Sequence, residues 1–294
     1  AAPSPRFAAL VDVKAQFENN LVHPVVYGGA DRAVGQVSVE TAPAVRTEYV
    51  FADPRVSAGE LRFHVCLAND SDRPRRVRVC SEALDGRPLL HRRVQLPPRS
   101  TQTVQRNVAW PDAIRWDLDN PHLYTVVTVI EEDGAVLDTH TDSFGFREFT
   151  VNGHSFYLNG RKIHLHGQSG HTSPDTDWMS LDEKIAYLRA WKERGHITHF
   201  RLHARPQHRE WVVAADRVGL LVTTETALWT TGYHSFDWVG SEEACAGNVC
   251  NHFLEALVRR DRNNPSVVIW SLSNEMSPIT PFDLENPKMA ALTR

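Results

Sequence analysis

The chain has 294 residues, of which 41% are hydrophobic and 23% are charged. This length exceeds the roughly 150 residues of a usual single domain, so it predicts two domains with substantial cores. With 32 lysines and arginines against 36 aspartates and glutamates, the net charge of −4 excludes a strongly basic nucleic-acid binder. Because no apolar run approaches the roughly 20 residues of a membrane span, we expect a soluble protein without a membrane partner.

The start of the chain and its cysteines say little about the compartment. Residues 1–5 contain neither an initiator methionine nor a basic-then-apolar signal pattern, which is typical of a processed or internal start. Localisation stays open, with the cytoplasm slightly favoured. The four cysteines are too few for a disulfide scaffold and lack metal-finger spacing. We expect free thiols at Cys66 and Cys80, and we leave a Cys245–Cys250 bridge open.

The first half of the chain has the period of β-structure. Apolar and polar residues alternate over 61–67, and turn signals rich in Asn, Asp and Gly separate this run from further strand-like runs at 76–80 and 124–130. Short strands at this spacing predict an immunoglobulin-like β-sandwich over residues 37–147. Residues 1–36 do not complete a domain and could be the end of a preceding one.

From residue 148 onward, strands alternate with helices. Ser180 and Glu183 form a capping box that begins the first helix, and Gly195 and Gly219 are placed to end the first two helices. The predicted strands are 163–167, 197–202, 220–224 and 267–272. Such parallel βα units fit an open doubly wound sheet and a (β/α)8 barrel equally well. Periodicity alone cannot separate these two folds.

In either fold, functional groups gather where the parallel strands end. The candidate side chains at these ends are Gln168, His171, Arg201, His203, Glu225, Trp229, Asn274 and Glu275. This set lacks a Gly-rich phosphate loop, which disfavours nucleotide binding. It also lacks a pair of metal ligands with zinc spacing, which disfavours a zinc hydrolase.

Glu275 is the sharpest candidate for chemistry. It follows a nearly all-apolar strand, where loss of hydration should raise the pKa of its carboxyl and let it protonate a leaving oxygen. The structural alternative is a helix cap or an ion pair with an arginine. Arg201 ends a buried strand and needs an anionic partner nearby. The alternative to a functional role for Arg201 is a structural ion pair with Glu225 or Asp261. Trp229 could stack on a sugar ring, although ordinary packing is the slightly favoured alternative.

Six motifs follow one another in order along the chain. They are Trp-Asp-Leu-Asp-Asn-Pro-His-Leu-Tyr at 116–124, Phe-Gly-Phe-Arg-Glu at 144–148, Phe-Tyr-Leu-Asn-Gly-Arg at 156–161, His-Leu-His-Gly at 164–167, Arg-Arg-Asp-Arg-Asn-Asn-Pro-Ser at 259–266 and Trp-Ser-Leu-Ser-Asn-Glu at 270–275. From about residue 25 to the end, the chain resembles glycoside hydrolase family 2, which includes β-galactosidases, β-glucuronidases and β-mannosidases. Because several ordered motifs agree, the resemblance is more specific than any single one.

The resemblance implies a retaining β-glycosidase that acts on a β-linked saccharide with two carboxyls. Because two carboxyls suffice for this chemistry, we expect no cofactor, and no cluster of ligands in the sequence demands a metal, although some relatives bind cations. Glu275 matches the acid/base catalyst, and Asn274 matches the residue that binds the sugar 2-hydroxyl. Arg201 matches the arginine that orients the nucleophile, and His171 matches a histidine of the substrate pocket. His203 and Trp229 complete the predicted substrate-binding set.

One short run departs from the family pattern. Residues 203–206 read His-Ala-Arg-Pro, where the family often has Ser-His-Tyr-Pro. This subsite is therefore remodelled, and the sugar cannot be ranked among galactose, glucuronate and mannose.

The resemblance also implies a partial enzyme. The family's nucleophile lies at the end of the seventh barrel strand, whereas this chain ends just past the fourth. We therefore expect residues 148–294 to form the N-terminal half of a TIM-barrel catalytic domain, completed by a longer chain or another subunit. Residues 1–36 would be the remnant of a sugar-binding β-domain, and a homo-oligomer stays open. The alternative function is a non-catalytic carbohydrate-binding or interaction fragment derived from such an enzyme.

Overall fold

The structure, a computed structural model, describes residues 42–170, 179–203, 206–226, 249–272 and 274. Within these ranges the chain forms a β-sandwich, a small three-stranded sheet, and a parallel sheet with helices. Residues 1–36 and the cysteine pair at 245 and 250 lie outside the ranges in which side chains are described. No helix in the described ranges is long and apolar enough to cross a membrane.

Two antiparallel sheets build the sandwich, with strand orders β1-β2-β5 and β4-β3-β6-β7. These strands are β1 (Val45–Arg55), β2 (Glu60–Asn69), β3 (Arg75–Ala83), β4 (Pro88–Leu96), β5 (Ser100–Ala109), β6 (Tyr124–Glu132) and β7 (Ala135–Phe144). The alternation seen in the sequence fills the core, because on β3 Val77 and Val79 are buried while Arg76 and Arg78 are exposed. Cys66 and Cys80 are free thiols, as predicted.

A short meander links the sandwich to the second half of the chain. It consists of β8 (Phe149–Asn152), β9 (Ser155–Leu158) and β10 (Arg161–Ile163), paired in sequence order. The turn between β9 and β10 is made by Asn159 and Gly160, both with positive φ, of 52° and 81°. Two such residues make the tight turn that suits a hairpin.

The second half is a parallel sheet whose strand order equals the chain order. The strands are β11 (Gly167–Gly170), β12 (His199–Leu202), β13 (Leu221–Glu225) and β14 (Val267–Ser271), and the helices are α1 (Leu181–Gly195), α2 (Arg209–Val218) and α3 (Val249–Asp261). A doubly wound sheet reverses its strand order at a switch point, whereas a barrel adds each strand beside the previous one. The order of the described strands therefore favours the barrel.

The first parallel strand lies further along the chain than predicted. The alternating run 163–167 suggested a strand, but Ile163 closes the hairpin and β11 begins only at Gly167. A Cβ at Gly167 would lie 3.0 Å from the His199 ring, and one at Gly170 would lie 2.5 Å from the Phe200 ring. The strand thus uses glycines for close packing and carries no apolar alternation, and Gln168 lies within it.

The capping box predicted for α1 is present. The Ser180 amide donates to the Glu183 carboxylate at 2.7 Å, and the Glu183 amide donates back to the Ser180 hydroxyl at 3.4 Å. At the other end, the left-handed residue is His196 with a φ of 51°, and not the predicted Gly195. Gly219 ends α2 as predicted, with a φ of 74°.

Hydrogen bonds connect the β-sandwich to the second half of the chain. The Trp116 indole donates to the backbone oxygen of Asp216 at 2.9 Å. The partly buried Arg147 guanidinium donates to the backbone oxygens of Pro265 and Val267 at 2.8 and 2.5 Å. These bonds reach the segment just before β14, and they help to hold the start of that strand in place.

Candidate active site

Alternate residues of the parallel strands separate the core from the candidate site. Phe200 and Val222 pack in the cluster shared with the helices. Because side chains alternate along a strand, Arg201 and Thr223 point to the opposite face, and so does Glu225 two residues further on. Arg201 pairs in register with Thr223. The carboxyl ends of β12 and β13 therefore present an arginine and a glutamate on the same face.

An ion pair joins these two strand ends. Arg201 donates from Nε and Nη2 to one oxygen of Glu225, Oε2, at 2.9 and 2.6 Å. The Ser271 hydroxyl at the end of β14 donates to the same oxygen at 2.6 Å. The Glu225 side chain is fully buried, whereas the Arg201 side chain is 34% exposed. The pair is thus anchored inside the sheet and open on the arginine side.

Asn274 extends this network beyond β14. Its Oδ1 accepts a hydrogen bond from Arg201 Nη2 at 2.8 Å. The residue is buried, and its Nδ2 has no hydrogen-bond partner in the described part of the chain. A buried amide donor without a partner is costly, so this group is suited to an acceptor that arrives with a ligand.

A histidine lies one level below the ion pair. His199 Nε2 and the Thr223 hydroxyl share a hydrogen bond of 2.7 Å. Burial lowers the pKa of His199 to about 4, so its ring is neutral at physiological pH. The site is therefore polar but uncharged at His199, below the charged pair of Arg201 and Glu225.

The structure identifies the partner of Arg201. Of the two candidates, Glu225 makes the ion pair. Asp261 instead accepts from the guanidinium of Arg260, its neighbour in the chain, with two bonds of 2.7 Å. The sequence analysis listed Glu225 among the strand-end candidates and as a partner of Arg201, but gave it no catalytic or substrate-binding role.

Ser271 was missed altogether, because it lies inside an apolar strand pattern. Only the register between β13 and β14, which pairs Glu225 with Ser271, reveals its place. No signal within the single run 267–272 distinguishes this serine from a residue that merely completes the strand.

Of the remaining predicted site residues, the structure describes His203. His203 follows β12, is half-buried, and its backbone N–H donates to the Gly170 oxygen at 3.3 Å. Glu275, His171 and Trp229 lie outside the described residues. Among the described residues, no group of three or more His, Cys, Asp or Glu side chains could hold a metal ion.

Comparison with protein families covers both halves of the chain. A model of glycosyl hydrolases family 2 matches residues 44–147, and the TIM barrel domain of glycosyl hydrolases family 2 matches residues 147–294. The chain belongs to glycosyl hydrolase family 2. The predicted fold class is thereby confirmed as an immunoglobulin-like β-sandwich followed by the beginning of a (β/α)8 barrel.

Individual relatives of family 2 carry several substrate names. A β-galactosidase of Alteromonas mediterranea is 25% identical over 258 residues, which cover 81% of this chain and 24% of the relative. A GH2 β-galacturonidase structure from Eisenbergiella tayi matches with a TM-score of 0.76 and 19% identity, over 86% of this chain and 45% of its own. A β-glucuronidase structure from Parabacteroides merdae matches with a TM-score of 0.66 and 20% identity, over 85% of this chain and 33% of its own. The chain spans less than half the length of each of these relatives.

Proposed function

We propose that this chain carries the acid/base side of the active site of a retaining β-glycoside hydrolase, with Glu275 as the acid/base catalyst. The observation that carries the proposal is the hydrogen bond between Arg201 and Asn274, the residue that precedes Glu275. This bond ties the segment with the proposed acid to the carboxyl ends of the parallel strands. In barrel enzymes, that edge holds the catalytic groups.

The orientation of Asn274 supports a role in binding sugar. Because Oδ1 accepts from Arg201, the amide presents Nδ2 as a donor. A donor at this place suits the oxygen of a sugar 2-hydroxyl, and that bond strengthens as the ring acquires oxocarbenium charge. Asn274 would therefore lower the barrier as well as bind the ground state.

The remaining donors of Arg201 support an orienting role. A guanidinium has five N–H groups, and the described contacts use one on Nε and two on Nη2. Both N–H groups on Nη1 are left for a second carboxylate. We assign them to the nucleophile, which would come from a later barrel strand outside this chain.

The chemistry then follows two steps. The nucleophile attacks the anomeric carbon and forms a glycosyl ester, while the bond to the leaving oxygen breaks and Glu275 gives that oxygen its proton. Water next attacks the anomeric carbon of this ester while Glu275 takes a proton from the water. The bond between that carbon and the nucleophile breaks, and the nucleophile carboxylate is released. His171, Trp229 and His203 are the proposed contacts to the β-linked saccharide, and no cofactor takes part.

The test is the Glu275→Gln variant of the complete enzyme that contains this chain. Aryl β-galactosides, β-glucuronides and β-galacturonides are assayed, each with a poor and with an activated leaving group. Loss of the general acid should lower kcat/KM for the poor leaving groups by about 10²- to 10⁴-fold and affect the activated ones far less. The matched control is Glu255→Gln, since Glu255 lies on the surface of α3 with a side chain that is 53% exposed.

Two outcomes would overturn the proposal. Unchanged turnover of poor leaving groups by Glu275→Gln would remove its assigned role. Saccharide binding without turnover by the complete protein would instead establish the non-catalytic alternative.

A further inference from the structure

We infer that Glu225 is a positioning residue of this active site, which, supported by the Ser271 hydroxyl, fixes the direction of Arg201 and balances its charge. The inference rests on the proposed function, because the group that Arg201 serves is the proposed acid/base and nucleophile pair. In this inference Glu225 and Ser271 neither contact the sugar nor take part in the reaction, and they act through Arg201.

The geometry around Glu225 leaves it little freedom. Its Oε2 receives three donors: Arg201 Nε at 2.9 Å, Arg201 Nη2 at 2.6 Å and Ser271 Oγ at 2.6 Å. These donors come from the strands on either side, and the Glu225 side chain is fully buried. Water therefore cannot compete for the oxygen, and both neighbouring strands hold the carboxylate in place.

Fixing two nitrogens of a guanidinium fixes the whole group. The guanidinium is planar, so the bonds from Nε and Nη2 to Glu225 set the direction of Nη1 as well. The second hydrogen of Nη2 then meets Asn274 Oδ1 at 2.8 Å. One buried carboxylate thus determines both the orientation of the Asn274 amide and the direction of the N–H groups left for the nucleophile.

Charge gives Glu225 a second effect. Arg201 and Glu225 together are neutral, so a carboxyl at the site meets a balanced pair and not a free cation. His199, on the same face of β12, is neutral because burial lowers its pKa to about 4, and His203 follows at the end of that strand. Without the Glu225 carboxylate, the uncompensated cation would stabilise ionised carboxyls nearby.

The experiment compares pH profiles of kcat/KM in the complete enzyme for two substitutions at one position. Glu225→Gln keeps the shape but removes the charge, and its basic limb should move to lower pH by roughly half a unit or more, because the acid/base group ionises more readily. Glu225→Asp keeps the charge but shortens the reach, so kcat should fall while both limbs stay in place. Ser271→Ala should lower kcat about threefold to tenfold, again without moving the limbs.

The matched control is Asp261→Asn, which removes the charge of another fully buried carboxylate paired with an arginine, outside the network around Arg201. Its pH limbs should stay at the values of the parent enzyme. Unmoved limbs in Glu225→Gln, or an equal shift in Asp261→Asn, would overturn the inference. If Glu225→Gln does not fold, unchanged kcat in both Ser271→Ala and Glu225→Asp would overturn it. Failure of the proposed function would show separately, as full activity of Glu275→Gln.

Discussion

Arg201 is the side chain at which the contacts of the site meet. Its guanidinium reaches a carboxylate on the neighbouring strand and an amide beyond the next one. A lysine carries the same charge at one point and lacks the planar fork, so it cannot hold both partners in the same geometry. The identity of this cation therefore matters as much as its charge.

We expect Arg201→Lys in the complete enzyme to lower kcat by about 10²-fold or more, because a misplaced catalytic contact is costly even when binding survives. KM should change much less. Steady-state kinetics on an aryl β-glycoside measures both values. Arg259→Lys is the control, since Arg259 pairs with Glu255 at the surface and is 49% exposed. An Arg201→Lys variant with a kcat within twofold of that of the parent enzyme would contradict the orienting role proposed for Arg201.

The sequence predicted which polar residues lie at the strand ends better than it predicted the contacts that they make. Arg201 and Asn274 could be chosen because polar groups at strand ends stand out against apolar strands. Their hydrogen bond joins residues 73 positions apart, and it depends on the strand register, which the pattern does not contain. Ser271 shows the same limit, because its hydrogen bond to Glu225 depends on its lying opposite that residue on the neighbouring strand.

At the scale of elements, local chemistry was a good guide to where helices begin. Ser180 and Glu183 carry their capping information in four residues, so the start of α1 could be predicted and is observed. The start of β11 could not, because Gly167 and Gly170 are chosen by the close approach of His199 and Phe200 from the next strand. Tertiary contact decides such positions, and a single sequence does not show it.

Asn263 shows how an element end can join two domains. Its Oδ1 accepts from the Ala52 amide at 3.0 Å, and its Nδ2 donates to the Val50 oxygen at 2.8 Å and to Asp142 at 2.7 Å. The Asn263 side chain thus bonds the backbone of β1 on the side where this strand, an edge strand of its described sheet, has no neighbouring strand. It satisfies backbone groups that would otherwise be buried without partners.

We expect Asn263→Ala to lower the free energy of unfolding by about 1–3 kcal/mol, because it leaves a buried donor and a buried acceptor unsatisfied. Urea unfolding followed by fluorescence and by circular dichroism measures the loss. Asn107→Ala makes the same chemical change at an exposed position of β5 and should cost less than about 0.5 kcal/mol. Equal losses in the two variants would show that the contact with β1 contributes nothing.

At the scale of the whole molecule, Asp216 lies where the sandwich meets the barrel half. Its backbone oxygen accepts from Trp116 of the sandwich, and its carboxylate accepts from the Ser266 amide and from Asn264. Burial raises the pKa of Asp216 from its ordinary value of 3.8 to about 6, although these hydrogen bonds and the charge of Arg147 act in the opposite direction. A titratable group is thus buried in the junction of the two halves.

The raised pKa fixes the sign of a pH effect on stability. Between pH 4 and pH 6 the folded protein keeps a proton on Asp216 that the unfolded chain has released. Rising pH through this window therefore favours unfolding, and above it the cost stays constant. Asp216→Asn removes the titration, so the free energy of unfolding of the variant relative to the wild type should rise by about 1–3 kcal/mol from pH 4 to pH 7. Any loss from the altered hydrogen bonds would shift the whole difference curve without changing this slope.

Urea unfolding of the two proteins at half-unit steps of pH would give the difference curve directly. Asp72→Asn is the control, because Asp72 is 84% exposed and lies outside the junction. Its difference curve should be flat through the same window. A flat curve for Asp216→Asn as well would mean that this carboxylate is ionised in the junction at no cost, and that Arg147 and the hydrogen bonds fully offset its burial. A rising curve would establish that the buried Asp216 carboxylate lowers the free energy of unfolding more at neutral pH than in mild acid.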